Sequence, residues 1–175
     1  MIQVDRLVLD GTCREGRLEI ESGDTRLMAL IHKSAPYLAG LQEGEDLSQV
    51  RLHDFVERAG QLETASCRLF ACDNALVLMT AVHFTARPDL RASLRLIDPA
   101  NALKTLAEDG RDAAMALERD GRRTLLFLHR GLPARLFFGD PAEDPGTGSI
   151  EDRLLAWAFH KPSETTVEVF TNLAV

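Results

Sequence analysis

Alternating polar and apolar positions recur along the chain in short segments that are separated by turn residues. Such alternation precedes Gly23-Asp24 and recurs before Asp120-Gly121. A period of two predicts strands, and a Gly-containing dipeptide between two strands predicts a hairpin. The segments after the two turns, 27–31 and 125–128, are more continuously apolar. That pattern predicts inner strands that are covered on both faces of a sheet.

The two hairpins belong to a longer stretch that occurs twice. Residues 14–36 align without gaps on residues 111–133, with five identities in 23 positions and seven conservative pairs. The identical pairs are Arg14 with Arg111, Glu21 with Glu118, Arg26 with Arg123, His32 with His129, and Pro36 with Pro133. The sequence therefore predicts two copies of one strand-rich unit, at about 13–60 and 110–161.

Each copy is predicted to continue into a helix that begins with serine. The first helix is expected over 48–59 and the second over 149–160. Ser48 and Ser149 are suitable N-caps, because a serine hydroxyl accepts a hydrogen bond from a free backbone N–H in the first helical turn. These assignments make each copy a hairpin followed by a helix.

The segment between the copies, 64–109, is predicted to be a degenerate third unit. It is expected to contain strands over 65–71 and 75–84, followed by the apolar stretch 94–97 and a helix over 98–109. The helix has the most complete local signals in the chain, with Asp98 as N-cap, Pro99 at the first helical position and Gly110 just past the end. A further strand is expected over 165–170.

These elements predict an α+β fold with a mainly antiparallel sheet and about three helices. The 175 residues are enough for one ordinary domain, and no Pro- or Gly-rich linker divides them. A chain of this length buries roughly two-thirds of the surface that it exposes when unfolded. We therefore expect a single compact domain over 1–175.

Charge and composition exclude several classes of protein. The formal net charge of −7 argues against a nucleic-acid binder, because phosphate recognition needs clustered lysine and arginine. Long uncharged apolar runs such as 75–82 are too short to span a bilayer, so no membrane insertion is expected. The N-terminus alternates polar and apolar residues and has an acidic residue at position 5, whereas a secretory signal has a basic start and an apolar middle. Three cysteines suit reduced thiols, and we expect a cytoplasmic protein.

Two histidines that precede a basic residue are the strongest candidates for binding chemistry. His32-Lys33 and His129-Arg130 occupy equivalent positions in the two copies. A repeated imidazole beside a cation suits recognition of an acidic partner or a phosphate group. The alternative is structural, with each histidine ending a buried strand and donating to a neighbouring carbonyl while Lys33 and Arg130 remain in solvent.

The loop over 139–149 is a second candidate site. Asp140, Glu143 and Asp144 bring three carboxylates together in sequence, and carboxylates are preferred ligands of divalent cations. The spacing is not that of an EF-hand. Its end, Gly146-Thr147-Gly148-Ser149, opens onto a predicted helix N-terminus, where backbone N–H groups bind anions, although the neighbouring acids would repel one. An ordered surface loop is the other interpretation.

The hairpin-helix unit also resembles a known family. Each copy has a strand pair that ends in an apolar, basic and small-residue stretch, and then a loop and an amphipathic helix. The pattern is clearest from Gly16 through Ala39 and over 52–59, and it recurs over 116–138 and around Trp157. It is similar to the bacterial PATAN domain family, also catalogued as a domain of unknown function, over about half the chain. The resemblance implies an adaptor of bacterial signalling and surface motility, without known catalytic residues.

The leading hypothesis is a non-catalytic protein-interaction module, of which a bacterial signalling adaptor is one kind. It would bind a protein partner through a sheet edge or the surface between its copies, and a homodimer is compatible with it. No Walker lysine, zinc signature or nucleophile elbow is present, so we expect no cofactor. The alternative is a small enzyme, or a small-molecule- or metal-sensing domain, with His32 and His129 lining a site between the copies.

Overall fold

The fold is α+β, as the sequence predicts. The structure is a computed structural model that describes residues 13–44, 46–62, 64–171 and 173. Within these residues, ten strands form two five-stranded antiparallel sheets, accompanied by four α-helices and two short 3₁₀ helices. The predicted class and the predominance of antiparallel strands are confirmed. The strands are divided between two sheets, and there is one helix more than expected.

The chain groups into two compact units, Met1–Phe84 and Thr85–Val175. The predicted repeats at 13–60 and 110–161 each lie within one of these units. The predicted third unit at 64–109 is divided at the boundary, so its first half belongs to one unit and its second half to the other.

The first unit is a sheet with a helix on each face. Its elements are β1 (Gly16–Ser22), β2 (Thr25–His32), β3 (Ala35–Glu43), β4 (Asp46–Val50), α1 (Leu52–Gln61), β5 (Ser66–Ala71) and α2 (Asn74–Thr85). The strand order is β4-β3-β2-β1-β5. On one face, Phe55 and Ala59 of α1 pack against alternate strand residues such as Leu18, Ile20 and Leu27. This period-two burial forms the core of the unit.

Helix α2 covers part of the opposite face. Val77 and Ala81 of the helix are buried against Leu30 of β2 and Leu38 of β3. Leu30 and Leu38 are paired across the two strands, so the helix rests on the end of the sheet near the β2–β3 turn. The rest of this face carries a mixture of charged and apolar side chains.

The second unit packs two helices against one sheet. Its elements are β6 (Leu90–Ser93), α3 (Pro99–Asp109), β7 (Ala113–Arg119), β8 (Arg122–His129), β9 (Leu132–Phe137), α4 (Ile150–His160) and β10 (Thr166–Phe170), with 3₁₀ helices Pro141–Glu143 and Pro162–Glu164. The strand order is β6-β10-β7-β8-β9. Leu103 of α3 and both Leu154 and Trp157 of α4 share one core with Met115 and Leu126 of the sheet.

The meanders β1–β2–β3 and β7–β8–β9 have the same local geometry. A register shift lies between Leu30 and Ile31 in the first, and between the aligned residues Phe127 and Leu128 in the second. Each meander ends its middle strand at a histidine and then makes a two-residue turn with both φ angles positive. That combination is typical of a type I′ hairpin turn. The proposal of an internal repeat rests on these shared features.

Local capping signals locate the helices of the second unit correctly. Asp98 accepts a hydrogen bond from the backbone N–H of Ala100 at 3.0 Å, and Gly110 ends α3 with φ at +65°. Ser149 and Asp152 form a reciprocal capping box at the start of α4. The predicted helices over 98–109 and 149–160 are confirmed, and β10 confirms the strand predicted over 165–170.

The predicted helix over 48–59 begins too early. Ser48 belongs to β4, where it pairs with Leu41 and its hydroxyl donates to the Leu41 carbonyl at 3.4 Å. Helix α1 begins at Leu52, after Arg51 in an extended conformation without a side-chain cap. The β3–β4 hairpin supplies Ser48 with partners that outweigh its preference for an N-cap.

The strand predicted over 75–84 is wrong, because this segment is helix α2. Asp73 acts as its cap, since the Asp73 carboxylate accepts from the Ala75 N–H at 2.8 Å and its carbonyl accepts from the Val77 N–H at 3.1 Å. A continuous apolar run does not distinguish a buried helix from a buried strand. Asp73-Asn74 therefore starts a helix instead of forming a hairpin turn.

The apolar stretch at 94–97 lies outside the strands of the second unit. These residues form a turn, closed by the Leu96 N–H donating to the Ser93 carbonyl at 2.9 Å. The preceding strand is β6, which ends at Ser93. Leu94 is buried whereas Leu96 is 83% exposed, so the apolar run supplies one core residue without continuing the ladder.

Candidate functional site

His32 lies at the end of β2 and forms a clasp with a carboxylate. Its Nδ1 is 2.9 Å from Glu15 Oε2, and the Lys33 N–H donates to Glu15 Oε1 at 3.2 Å. The Ser34 N–H donates to the Arg14 carbonyl at 2.8 Å. Burial raises the pKa of Glu15, but the hydrogen bonds and the charges of His32 and Arg14 outweigh it, so the pKa lies below its usual value.

The same clasp closes the aligned turn in the second unit. His129 Nδ1 is 3.1 Å from Asp112 Oδ1, which also accepts from the Arg130 N–H at 2.7 Å. The Gly131 N–H donates to the Arg111 carbonyl at 2.8 Å. The two histidines differ in exposure, since the side chain of His32 is 18% exposed and that of His129 is 57% exposed.

The clasps connect each histidine to the turn that follows it. In each unit a carboxylate binds both the imidazole and the backbone N–H of the next residue, which holds a turn with two left-handed residues. The sequence-based alternative expected a carbonyl acceptor, whereas the acceptor is the side chain of Glu15 or Asp112. Lys33 and Arg130 are exposed. A shared site between His32 and His129 stays a prediction.

Glu143 of the acidic loop is held by a cation and an indole. Its Oε2 accepts from Trp157 Nε1 at 2.6 Å and from Arg119 Nη2 at 3.0 Å, and these bonds lower the pKa of Glu143. The Arg119 guanidinium lies 3.8 Å from the centroid of a Trp157 ring and donates to the Trp157 carbonyl at 3.1 Å. This cluster, Arg119, Glu143 and Trp157, fastens the loop to β7 and α4.

The other two acids of the loop also pair with arginines. Asp140 bonds to Arg122, and Asp144 binds Arg153 through two hydrogen bonds, one of them 2.9 Å long from Nε. The Arg153 bonds lower the pKa of Asp144. The structure therefore places Asp140, Glu143 and Asp144 against three different cations. Across residues 13–44, 46–62, 64–171 and 173, no group of three or more acidic, histidine or cysteine side chains converges as a metal site.

The face of the first sheet opposite α1 presents a different kind of surface, here called the open face. Its rows follow from the strand register, and its members are Arg17, Glu19, Glu21, Arg26, Met28, Gly40, Gln49, Arg68 and Phe70. Glu19 is almost fully buried and lies 2.9 Å from Arg17 Nη2 and 3.7 Å from Arg68 Nη2. Glu21 binds Arg68 at 2.5 Å and Arg26 at 2.7 Å.

Phe70 is the exposed aromatic residue of the open face. Its side chain is 37% exposed, and the guanidinium carbons of Arg17 and Arg68 lie 5.1 Å and 5.9 Å from its ring centroid. Arginines at these distances attract the face of an aromatic ring. The two cations therefore flank an exposed apolar ring.

A concave site, here called the sheet–helix cleft, lies where α2 leaves the open face uncovered. Its apolar lining comes from Met28, Leu30, Leu38, Gly40, Thr80 and Phe84. Arg17 of β1 borders it on one side, and Gln49 of β4 borders it on the other. The cavity volume is about 140 Å³. An apolar cavity of roughly 150 Å³ is large enough for a six-carbon aromatic ring.

Sequence patterns do not single out the open face or the cleft. Arg17 and Arg68 look like ordinary polar positions of alternating strands, and their common neighbour Phe70 looks like a core residue. Gly40 gives the one available signal, because a glycine inside an apolar strand often marks a close approach by another group.

Comparison with known proteins adds no assignment. No protein-family model, curated protein or solved structure matches the chain. Among the residues that the structure describes, no helix is long and apolar enough to cross a membrane. The resemblance to PATAN domains accordingly stays a prediction.

Proposed function

We propose that the chain is a non-catalytic protein-interaction module, as a bacterial signalling adaptor would be, and that the open face binds its partner. The observation that carries this proposal is the exposed ring of Phe70 between two arginines. The histidine clasps and the arginine-paired acids of the second unit support it, because these groups serve the fold.

The side chains around Phe70 are those that dominate binding energy at protein interfaces. Aromatic residues and arginine are enriched at such positions, and a few of them carry most of the affinity. The contacts with Arg17 and Arg68 favour one position of the ring, which lowers the entropy cost when a partner covers it. The open face is thus prepared for contact before binding.

Charge indicates the chemistry of the partner. The strand residues of the open face include three arginines, Arg17, Arg26 and Arg68, and two glutamates, Glu19 and Glu21, which leaves one positive charge in excess. The whole chain carries −7. A segment with an acidic side chain next to an apolar one would cover Phe70, balance that charge and be oriented by the field of the chain.

Selective loss of a partner tests this proposal. Immobilised chain is exposed to a lysate of the organism that encodes it, and retained proteins are compared among the parent chain, Phe70→Ala and Val56→Ala. Val56 is the matched control, because it is 45% exposed on α1, on the other side of the sheet. We expect Phe70→Ala to weaken binding of a purified partner about 30-fold and Val56→Ala to leave it unchanged.

The results that contradict the proposal are equally specific. Retention of the same proteins by Phe70→Ala would remove the open face as the docking surface. Retention of nothing by the parent chain, together with a monomer in light scattering, would remove the interaction module. A dimer that Phe70→Ala dissociates would identify a second copy as the partner.

Two further parts of the proposal concern location and an alternative function. A reducing cytoplasm suits the free thiols of Cys13, Cys67 and Cys72. Burial raises the pKa of Cys67 and Cys72, which keeps these thiols protonated and less reactive.

The second candidate function is small-molecule sensing, and the sheet–helix cleft is the observation that favours it.

A further inference from the structure

The floor of the sheet–helix cleft is a glycine that the backbone does not require. Gly40 lies in the interior of β3, paired with Met28 on one side and Gln49 on the other, in an extended conformation that any residue adopts. Glycine at such a position weakens a strand by roughly 0.5–1 kcal/mol relative to alanine. Gly40 lines the cleft without a side chain, and a glycine inside a strand often marks a place where a ligand or another group approaches the backbone closely.

The walls of the cleft are largely apolar, and the hydroxyl of Thr80 is already engaged. Met28, Leu30 and Phe84 supply aliphatic, thioether and aromatic surface. The Thr80 hydroxyl donates to the Leu76 carbonyl at 2.7 Å, so its proton is already used in a hydrogen bond within the helix. A methionine wall adapts to the shape of a ligand because its side chain is unbranched and flexible.

Arg17 provides a charged group at one border of this apolar space. Its Nη2 binds Glu19 at 2.9 Å, but a guanidinium has five N–H donors in a plane and can bind a second carboxylate. Its side chain is 45% exposed, so a ligand can reach it. The excess positive charge of the open face is therefore next to an apolar cavity of about 140 Å³.

From this combination we infer that the sheet–helix cleft binds a small molecule in which an apolar group of about six carbon atoms carries a carboxylate. The apolar group occupies the space above Gly40, and the carboxylate accepts hydrogen bonds from Arg17. The inference rests on the second candidate function, small-molecule sensing at this cleft, and names the class of ligand; it needs no protein partner.

Benzoate is the probe, and binding is followed by amide chemical shifts of the full isotope-labelled chain. Benzyl alcohol and benzylamine have the same ring with a neutral or a positive group. We expect benzoate to bind about tenfold more tightly than benzyl alcohol, because a charge-assisted hydrogen bond is lost in the alcohol, and more tightly still than benzylamine. The largest shifts should be those of cleft residues.

Three variants locate the site. Gly40→Val fills the cleft with a residue that favours strands, and benzoate binding should fall by at least about tenfold. Arg17→Gln removes the cation, and it should weaken benzoate about tenfold while leaving benzyl alcohol unchanged. Arg26→Gln is the matched control, because Arg26 lies on the same face and does not line the cleft. It should change benzoate affinity by less than about twofold.

Several results overturn the inference. They are the absence of saturable shifts up to about 20 mM benzoate, equal affinities for benzoate and benzyl alcohol, or equal effects of Arg17→Gln and Arg26→Gln. Unchanged binding by folded Gly40→Val would place the ligand elsewhere. If circular dichroism shows that Gly40→Val does not fold, the comparison between the two arginine variants decides. Failure here leaves the partner proposal intact, because that proposal is judged by Phe70→Ala, and Phe70 does not line the cleft.

Discussion

Arg119 is expected to be the most important charged residue for the stability of the second unit. Its side chain is 4% exposed, it stacks on Trp157, and it donates to the Trp157 carbonyl and to Glu143. The substitution Arg119→Met removes the guanidinium and retains an unbranched apolar stem. The change therefore isolates the charged head from the packing of the stem.

The expected loss follows from the three interactions. A hydrogen bond from a charged donor to the Trp157 carbonyl contributes about 1.5–3 kcal/mol, and the guanidinium–indole stack about 1 kcal/mol. The ion pair adds only about 0–1 kcal/mol, because the side chain of Glu143 is 39% exposed and water screens it. Methionine recovers part of the loss by packing, so we expect the free energy of unfolding to fall by about 2–4 kcal/mol.

The control is the same substitution at an exposed arginine of the neighbouring strand. Arg123 lies 2.9 Å from Glu118, and both side chains are 42% exposed. We expect Arg123→Met to cost less than about 1 kcal/mol. Urea unfolding of both variants and the parent can be followed by fluorescence, since Trp157 is the only tryptophan, and by far-ultraviolet circular dichroism.

Arg119→Met should cost more stability than Arg123→Met. Equal losses, or a loss below about 1 kcal/mol for Arg119→Met, would refute the argument that burial and stacking give Arg119 its weight. The stability loss caused by Arg123→Met should depend more on salt than the loss caused by Arg119→Met, because the Arg123–Glu118 pair is more exposed to screening. The opposite order would contradict the role of burial.

Three other substitutions test local features. The pKa of Glu15 in the folded state is below its usual 4.5, so the ionised carboxylate stabilises the fold above about pH 4.5 and this stabilisation is lost as the pH falls. Glu15→Gln should therefore lower the urea midpoint at pH 7, and the midpoint of this variant should decline less steeply below about pH 4.5 than that of the parent chain. Gly131→Ala would place a Cβ 2.8 Å from backbone atoms of Ala107 at φ +78°, and calorimetry should show a lower Tm. Ser149→Ala removes the N-cap of α4 and should cost about 1 kcal/mol in urea unfolding.

Helices with complete terminal signals were predictable from the sequence. Asp98 and Gly110 define α3 because their hydrogen bonds and φ angles involve only the helix itself. Ser149 defines α4 for the same reason. Ser48 shows the limit of this logic, because its neighbours in the folded chain include Leu41, whose carbonyl offers a competing partner.

Elements without clear capping signals in the sequence were not predictable in the same way. The apolar run in α2 has no period, and its helical state depends on Asp73 as a cap and on burial against Leu30 and Leu38. The candidate sites have a similar origin. Arg17 and Phe70 are separated by most of the first unit in sequence and become neighbours only through the β1–β5 pairing.

The acidic loop shows why chemistry was harder to predict than architecture. Spacing alone made Asp140, Glu143 and Asp144 candidates for a cation, and a cation does hold them, but it is an arginine side chain in each case. Whether carboxylates bind a metal or an arginine depends on which residues the fold brings to them. Nothing within the loop itself carries that information.

The position of β10 has a consequence for biosynthesis. Val167 pairs with Ala92 of β6 and with Leu117 of β7, so the last strand of the unit separates two strands that are made much earlier. A nascent chain therefore exposes an unpaired edge of β7, rich in apolar residues, until residues 166–170 leave the ribosome. Chaperones that bind exposed apolar segments would protect the chain at this stage.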